Sequence, residues 1–69
     1  MKYRTLPVLL NIEEAALIVG VSRRTINNLI ASGEIISTKI GRSRRIPTQP
    51  LLEHLGLDPN LVLDFLNDS

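Results

Sequence analysis

Apolar residues in the first half of the chain recur at the spacing of two short amphipathic helices. Asn11 is a good N-cap, and Glu14 stands three positions later, where a capping box has its acid, so a helix is predicted from residue 12 to Gly20. Ser22 caps a second helix, which Gly33 ends. Two such helices joined by a tight turn predict a helix-turn-helix. The inward stripes are Ile12, Ala15, Ala16 and Val19 on the first helix, and Ile26, Leu29 and Ile30 on the second.

The pattern after the second helix is typical of a β-hairpin. Residues from Ile35 to Ile40 are mostly β-branched or polar, which favours an extended strand. The run from Gly41 to Ser43 resembles a turn, and Ile46 follows it on a second strand. Pro47 ends that strand because proline has no amide hydrogen to donate.

Two further helices are predicted in the last third of the chain. Thr48 is a candidate N-cap for a third helix that runs to Gly56, and Asp58 with Pro59 opens a last, amphipathic helix through Asn67. The expected fold is therefore mainly α with a small β-hairpin, a winged helix-turn-helix. The predicted parts are an N-terminal segment (1–10), a winged helix-turn-helix domain (11–56) and a C-terminal helix (57–69) that packs on the domain or on a partner.

Composition narrows the class of protein. The 69 residues make one small domain, and the absence of cysteine leaves aliphatic side chains to form the core. One tyrosine and one phenylalanine are too few rings for a protein that stacks single-stranded bases. No stretch approaches the roughly 20 apolar residues that span a bilayer. We expect a soluble, cytoplasmic protein without membrane contact.

Charge is sorted along the chain. Residues 21–47 hold six of the eight Lys and Arg against one acid, Glu34, and carry a net charge of +5, whereas the remainder carries −4. A nearly neutral protein with such a cationic region is suited to a polyanion, and nucleic acid is the commonest one. We therefore expect double-stranded DNA as the partner.

The start and outward face of the second helix carry candidate DNA-binding residues. Arginine donates twice to guanine and asparagine pairs with adenine in the major groove, while the amides at a helix start attract a phosphate. The alternative is that these side chains only solvate an exposed helix face. The candidates are Ser22, Arg23, Arg24, Thr25, Asn27 and Asn28.

The hairpin tip carries a second basic cluster, which as a wing would contact phosphates or a minor groove and supply affinity more than sequence choice. Two cationic elements on one small domain are harder to attribute to solubility than one. For Lys39 and Arg45 the alternative is an ion pair with an acid such as Glu34. The wing candidates are Lys39, Arg42, Ser43, Arg44 and Arg45.

No catalytic or metal site can be assembled from the sequence. His54 has no cysteine or second ligand near it, and Glu13 and Glu14 are neighbours that point in different directions on a helix. A zinc site needs three or four convergent ligands. We predict that the protein is not an enzyme and uses no metal or cofactor.

Taken together, these segments resemble the excisionase-type winged helix-turn-helix family, small relatives of the MerR DNA-binding domain. The resemblance implies that the helix from Arg23 to Ser32 enters the major groove, with the tip from Gly41 to Arg45 against an adjacent minor groove or phosphates. Members often carry an aromatic residue where this chain has Asn27 and Asn28, so base preference does not transfer. They also often have a proline where this chain continues with Ile36. The resemblance is carried by Asn-Ile-Glu-Glu-Ala-Ala at 11–16, Gly-Val-Ser-Arg-Arg-Thr-Ile at 20–26, Leu-Ile-Ala-Ser-Gly-Glu-Ile at 29–35 and Lys-Ile-Gly-Arg-Ser-Arg-Arg-Ile-Pro at 39–47.

Small members of this family act as excisionases, or recombination directionality factors, of phages and mobile elements. The resemblance implies cooperative binding to repeated sites, DNA bending, and help to an integrase in excision. The same domain also serves small phage or plasmid transcriptional regulators, and a third alternative is a protein-interaction adaptor or antirepressor. The last helix either covers the core or contacts a further protomer or an integrase. Its candidate contact residues are Leu63, Phe65 and Leu66.

Overall fold

The capping signals and apolar stripes produce the predicted helices. A computed structural model describes residues 3–68, which form four helices and a three-stranded antiparallel sheet. The predicted class, mainly α with a small hairpin in a winged helix-turn-helix, is confirmed, and the sheet has one strand more than predicted. The helices are α1 (Ile12–Val19), α2 (Arg23–Ala31), α3 (Thr48–Leu55) and α4 (Pro59–Asp68), and the strands are β1 (Leu9–Leu10), β2 (Thr38–Ile40) and β3 (Ser43–Pro47).

The two helices of the helix-turn-helix begin at the predicted residues, and α1 ends at its predicted Gly20. Helix α2 ends at Ala31 with Ser32 as its C-cap, just before the predicted Gly33. The Glu14 amide donates to Asn11 Oδ1 at 2.7 Å and the Asn11 amide donates to Glu14 Oε1 at 2.9 Å, which completes the capping box. Gly20 ends α1 at a φ of +82°, a left-handed conformation that glycine adopts without strain. The Ser22 side chain accepts from the Thr25 amide and caps α2.

The sheet has the order β1-β3-β2, and the third strand comes from the segment that precedes α1. Leu9 pairs with Pro47 and Leu10 with Ile46, and the Leu10 and Ile46 side chains are fully buried. A two-residue strand has no alternation to reveal it, which is why the sequence did not predict β1. The division of the chain at residues 10 and 56 stays a prediction, and residues 1, 2 and 69 lie outside the described residues.

The first hairpin strand is shorter than predicted. It was expected from Ile35 but begins at Thr38. The amides of Glu34 and Ile35 both donate to the Leu29 carbonyl, so the chain is still closing the end of α2 at these residues. The Ile35 side chain is buried in the core, where it covers the second helix rather than extending the hairpin.

Thr48 does not cap α3 as predicted. It is the first residue of the helix, Pro47 occupies the N-cap position, and no side chain accepts a capping hydrogen bond there. The Thr48 hydroxyl donates instead to the Pro7 carbonyl, and the Thr48 amide donates to the Val8 carbonyl. Thr48 therefore attaches the N-terminal segment to the third helix.

Contacts of α1 hold the fold together. This helix packs against α2, β1 and β3, and its Ala15 and Ala16 are buried between them. Because these side chains are small, the neighbouring elements can approach α1 closely without leaving voids in the core. The main cluster of buried residues is Leu10, Ala15, Ala16, Ile26, Ile35, Ile46 and Leu51.

The N-terminal segment also joins α4 to α1. The Tyr3 amide donates to Asn67 Oδ1 at 2.8 Å, and Asn67 Nδ2 donates to the Tyr3 carbonyl at 3.0 Å. The Tyr3 hydroxyl donates to Glu14 Oε2 at 2.6 Å. This hydrogen bond and the charge of Glu14 raise the pKa of Tyr3 above its ordinary value. At the start of α4, Asp58 accepts from the Asn60 amide, as its predicted capping role requires.

Candidate nucleic-acid interface

The start of α2 presents a polar face above a buried anchor. Ile26 is 0% exposed, and this burial fixes the rotation of the helix. Arg24, Asn27 and Asn28 are exposed on the other side, while Thr25 is half-buried. Because a helix turns by 100° per residue, the three exposed side chains share the outward half of the helix. Their donors and acceptors are available to an approaching ligand.

The hairpin is a narrow basic projection. Its turn is two residues, Gly41 and Arg42, with Gly41 at a φ of +61°. Lys39 lies directly opposite Arg44 in the β2–β3 register. Like charges on facing residues of antiparallel strands destabilise the pair. A polyanion against the hairpin would offset this repulsion.

Two of the wing arginines donate hydrogen bonds to uncharged oxygen atoms. Arg44 Nη1 donates to Ser37 Oγ at 2.7 Å, and Arg45 Nη1 donates to the Arg44 carbonyl at 3.2 Å. Neither Lys39 nor Arg45 forms an ion pair with Glu34 within residues 3–68. The positive charge of the hairpin is therefore not neutralised by Glu34.

Helix α1 brings the two basic elements together. It packs on both α2 and β3, so the starts of α1 and α2 and the strand β3 surround one shallow cleft. Arg23 comes from α2, and Arg44 and Arg45 come from the wing. Cationic side chains that are far apart in sequence thus meet at one surface. The cleft is lined by Asn11, Ile12, Glu13, Arg23, Arg44 and Arg45.

Glu13 is a member of this surface that the sequence reasoning did not select. Its Oε1 lies 3.3 Å from Arg23 Nη1, with the Glu13 side chain 71% and the Arg23 side chain 67% exposed. No other ion pair is found within residues 3–68. The two residues are ten positions apart on different helices, so a helical spacing rule could not find the pair.

The last helix has one buried side and one exposed apolar side. Val62 is buried, whereas Leu61 is 68% and Phe65 48% exposed. Of the predicted contact residues, Phe65 is exposed, and Leu63 and Leu66 are half-buried. Leu61 was not among those candidates although it is the most exposed apolar residue of α4. Ile18, Leu57, Asp58, Leu61, Val62 and Phe65 line a shallow groove here.

Other candidate chemistry is sparse in the part of the chain that the structure describes. His54 is exposed on α3. Residues 3–68 contain no group of three His, Cys, Asp or Glu placed to hold a metal ion. None of the four helices is long and apolar enough to cross a membrane.

Comparison with known proteins agrees with this geometry. The family model described as "Helix-turn-helix domain" matches residues 9–56. A probable excisionase from Saccharopolyspora erythraea is 56% identical over 46 residues, which cover 64% of this chain and 47% of that protein. The chain belongs to the helix-turn-helix family that this model describes. As a member of this family it is a DNA-binding protein, and both matches point to DNA binding and not to catalysis.

The region matched by the family model includes both basic elements, because α2 and the hairpin lie within residues 9–56. The matched region ends at Gly56, so α4 lies beyond it. This helix-turn-helix chain spans about half the length of its relative. No solved structure matches the chain.

Proposed function

We propose that the protein is an excisionase of a phage or mobile element. Helix α2 binds specific duplex sites, and the β2–β3 hairpin contacts the flanking phosphates. The observation that carries this proposal is the shared cleft, where Arg23 of α2 lies with Arg44 and Arg45 of the wing. A duplex that places a groove on α2 would run its backbone past the same arginines.

Base recognition is assigned to the outward side chains of α2. Arg24, Asn27 and Asn28 are exposed, and Arg24 forms no ion pair among the described residues. Each good bidentate contact discriminates against a wrong base by about 1–3 kcal/mol. Ser22 caps the helix, and Thr25 lies beside it, with the two side-chain oxygens 3.0 Å apart. These two hydroxyls orient the helix start and reach toward phosphate.

Phosphate contact is assigned to the wing. Lys39, Arg42 and Arg44 are exposed, and the facing pair of Lys39 and Arg44 concentrates charge near the turn. Contacts of this kind position a protein on DNA and make its affinity depend on salt. Ser43 and Arg45 complete the wing set.

Assembly along DNA is the remaining part of the proposal. The basic region carries +5 and the remainder −4, so a neighbouring protomer can place its acidic part against the wing of the next. The exposed Phe65, with Leu63 and Leu66 beside it on α4, offers an apolar contact to that protomer or to an integrase. Cooperative binding of this kind would bend the DNA and direct the integrase toward excision.

A gel-shift titration tests the function. The probes are duplexes from the attachment site and the promoter that flank the gene, with unrelated duplex as competitor. An excisionase gives cooperative, selective complexes at the attachment site. Selective binding at the promoter alone would favour a transcriptional regulator instead. Absence of DNA binding would leave the exposed apolar side of α4 as the working surface and favour an interaction adaptor.

A single substitution tests the assignment of base recognition to α2. Asn28→Ala should lower the preference for the selected site over unrelated duplex by about tenfold. Gln49→Ala is the matched control, because Gln49 is a polar residue on the exposed side of α3 that bonds Glu53. Equal selectivity in the two variants would remove Asn28 from the set of base contacts.

A further inference from the structure

The ion pair between Glu13 and Arg23 adds an anion to a surface that is otherwise built to receive one. The cleft between α1, α2 and β3 contains three arginines, and Glu13 is its one acid. Arg23 is the first residue of α2, and the first turn of that helix contains no acid. Cations at a helix start are unfavourable next to the positive end of the helix dipole. A carboxylate from α1 relieves this.

The gain in stability from the pair is small. Both side chains are more than two-thirds exposed, and exposed ion pairs contribute little to folding. The carboxylate lies instead where a DNA phosphate would lie if Arg23 contacts the backbone. Glu13 and a phosphate would then compete for the same guanidinium, and they would repel one another.

We propose that Glu13 is an internal competitor of the DNA backbone, which occupies Arg23 in the free protein and lowers the affinity for duplex of any sequence. This inference rests on the proposed DNA contact of Arg23. Such a competitor weakens sequence-independent binding, because the attraction to phosphates does not depend on the DNA sequence. With that attraction reduced, more of the binding must come from base contacts on α2.

Glu13→Gln is the test, with the full chain and a random-sequence duplex as the probe. Loss of this charge should tighten binding about fivefold at 50 mM salt, the factor expected for one unit charge about 4 Å away in water. The gain should shrink at high salt because screening weakens exposed charges. Misfolding would weaken binding and so cannot imitate the expected gain.

Two further variants isolate the mechanism. Glu53→Gln changes the net charge equally, but Glu53 lies on α3 and lines a different groove, so its effect should be under about twofold because distant exposed charges are screened. In an Arg23→Gln background, the gain from Glu13→Gln should be smaller than in the natural chain, because only the direct repulsion between Glu13 and the backbone remains. Equal gains from Glu13→Gln and Glu53→Gln would overturn the competitor role while leaving DNA binding intact. Failure of every variant, and of the natural chain, to bind duplex would overturn both the competitor role and the proposed function.

Discussion

Removal of two wing charges should change how DNA affinity depends on salt. The variant is Arg42→Gln with Arg44→Gln, which removes the guanidinium at the hairpin turn and the one that faces Lys39. Both residues are exposed, so the exchange leaves the core intact. The fold should therefore be retained.

The magnitude follows from counting the cations assigned to phosphate. These are Arg23, Lys39, Arg42, Arg44 and Arg45. If all five contact phosphates, the slope of log K against log salt is about −4.5, and affinity falls about 500-fold between about 50 and 200 mM salt. With two contacts removed, the slope becomes about −2.7 and the fall about 40-fold.

The assay is fluorescence anisotropy with a labelled random-sequence duplex across this range of salt. Arg4→Gln is the matched control, because Arg4 is an exposed arginine outside both basic elements. Its slope should stay within about 0.5 of that of the natural chain. The reasoning is refuted if the double variant keeps the natural slope, or if Arg4→Gln lowers the slope as much per charge.

Three other perturbations test the fold that supports the interface. Ile26→Val removes one methylene from a fully buried side chain under α2 and should lower the free energy of unfolding by about 0.5–1.5 kcal/mol in a urea titration, with an exposed Ile36→Val as control. Asn11→Ala removes the acceptor of the capping box and should cost about 1 kcal/mol by the same measurement, and no loss would contradict the cap. Tyr3→Phe tests the raised pKa of Tyr3. Because the pKa is higher in the folded protein than its ordinary value of 10.0, the protonated hydroxyl stabilises the folded state below pH 10.0, and this stabilisation is lost as pH rises through the folded pKa. The stability advantage of the natural chain over this variant should therefore be constant from pH about 7 to 9 and shrink above about 10, and a pH-independent difference would contradict the contact with Glu14.

The parts of the fold that the sequence predicted are those with short-range causes. The Asn11 and Glu14 capping box, the Ser22 cap and the stripe under α2 each depend on residues three or four positions apart. Helix periodicity and capping act over these distances, so the signal is contained in a few neighbouring letters. The outward face of α2 followed from the same stripe.

The parts that the sequence did not predict depend on distant partners. Leu10 lies in a strand because it pairs with Ile46 of β3. The Thr48 hydroxyl donates to the carbonyl of Pro7, which is 41 positions away. Glu13 reaches Arg23 because the turn between α1 and α2 brings the two helix starts together. Nothing in the local letters distinguishes Thr48 from an ordinary N-cap.

Because α1 packs on both α2 and β3, we expect DNA affinity to report a displacement of α1 more sensitively than stability does. A chain of 69 residues has about 3–10 kcal/mol of stability, so a loss of about 1 kcal/mol leaves at least about 97% of the molecules folded. Helix α1 nevertheless sets the position of α2 relative to β3, because it packs on both. If Asn11→Ala lowers DNA affinity several-fold, the small unfolded fraction cannot account for that loss. Two local causes can: loss of the Asn11 side chain from the cleft, and a changed position of Arg23 relative to Arg44 and Arg45, which must all meet one backbone.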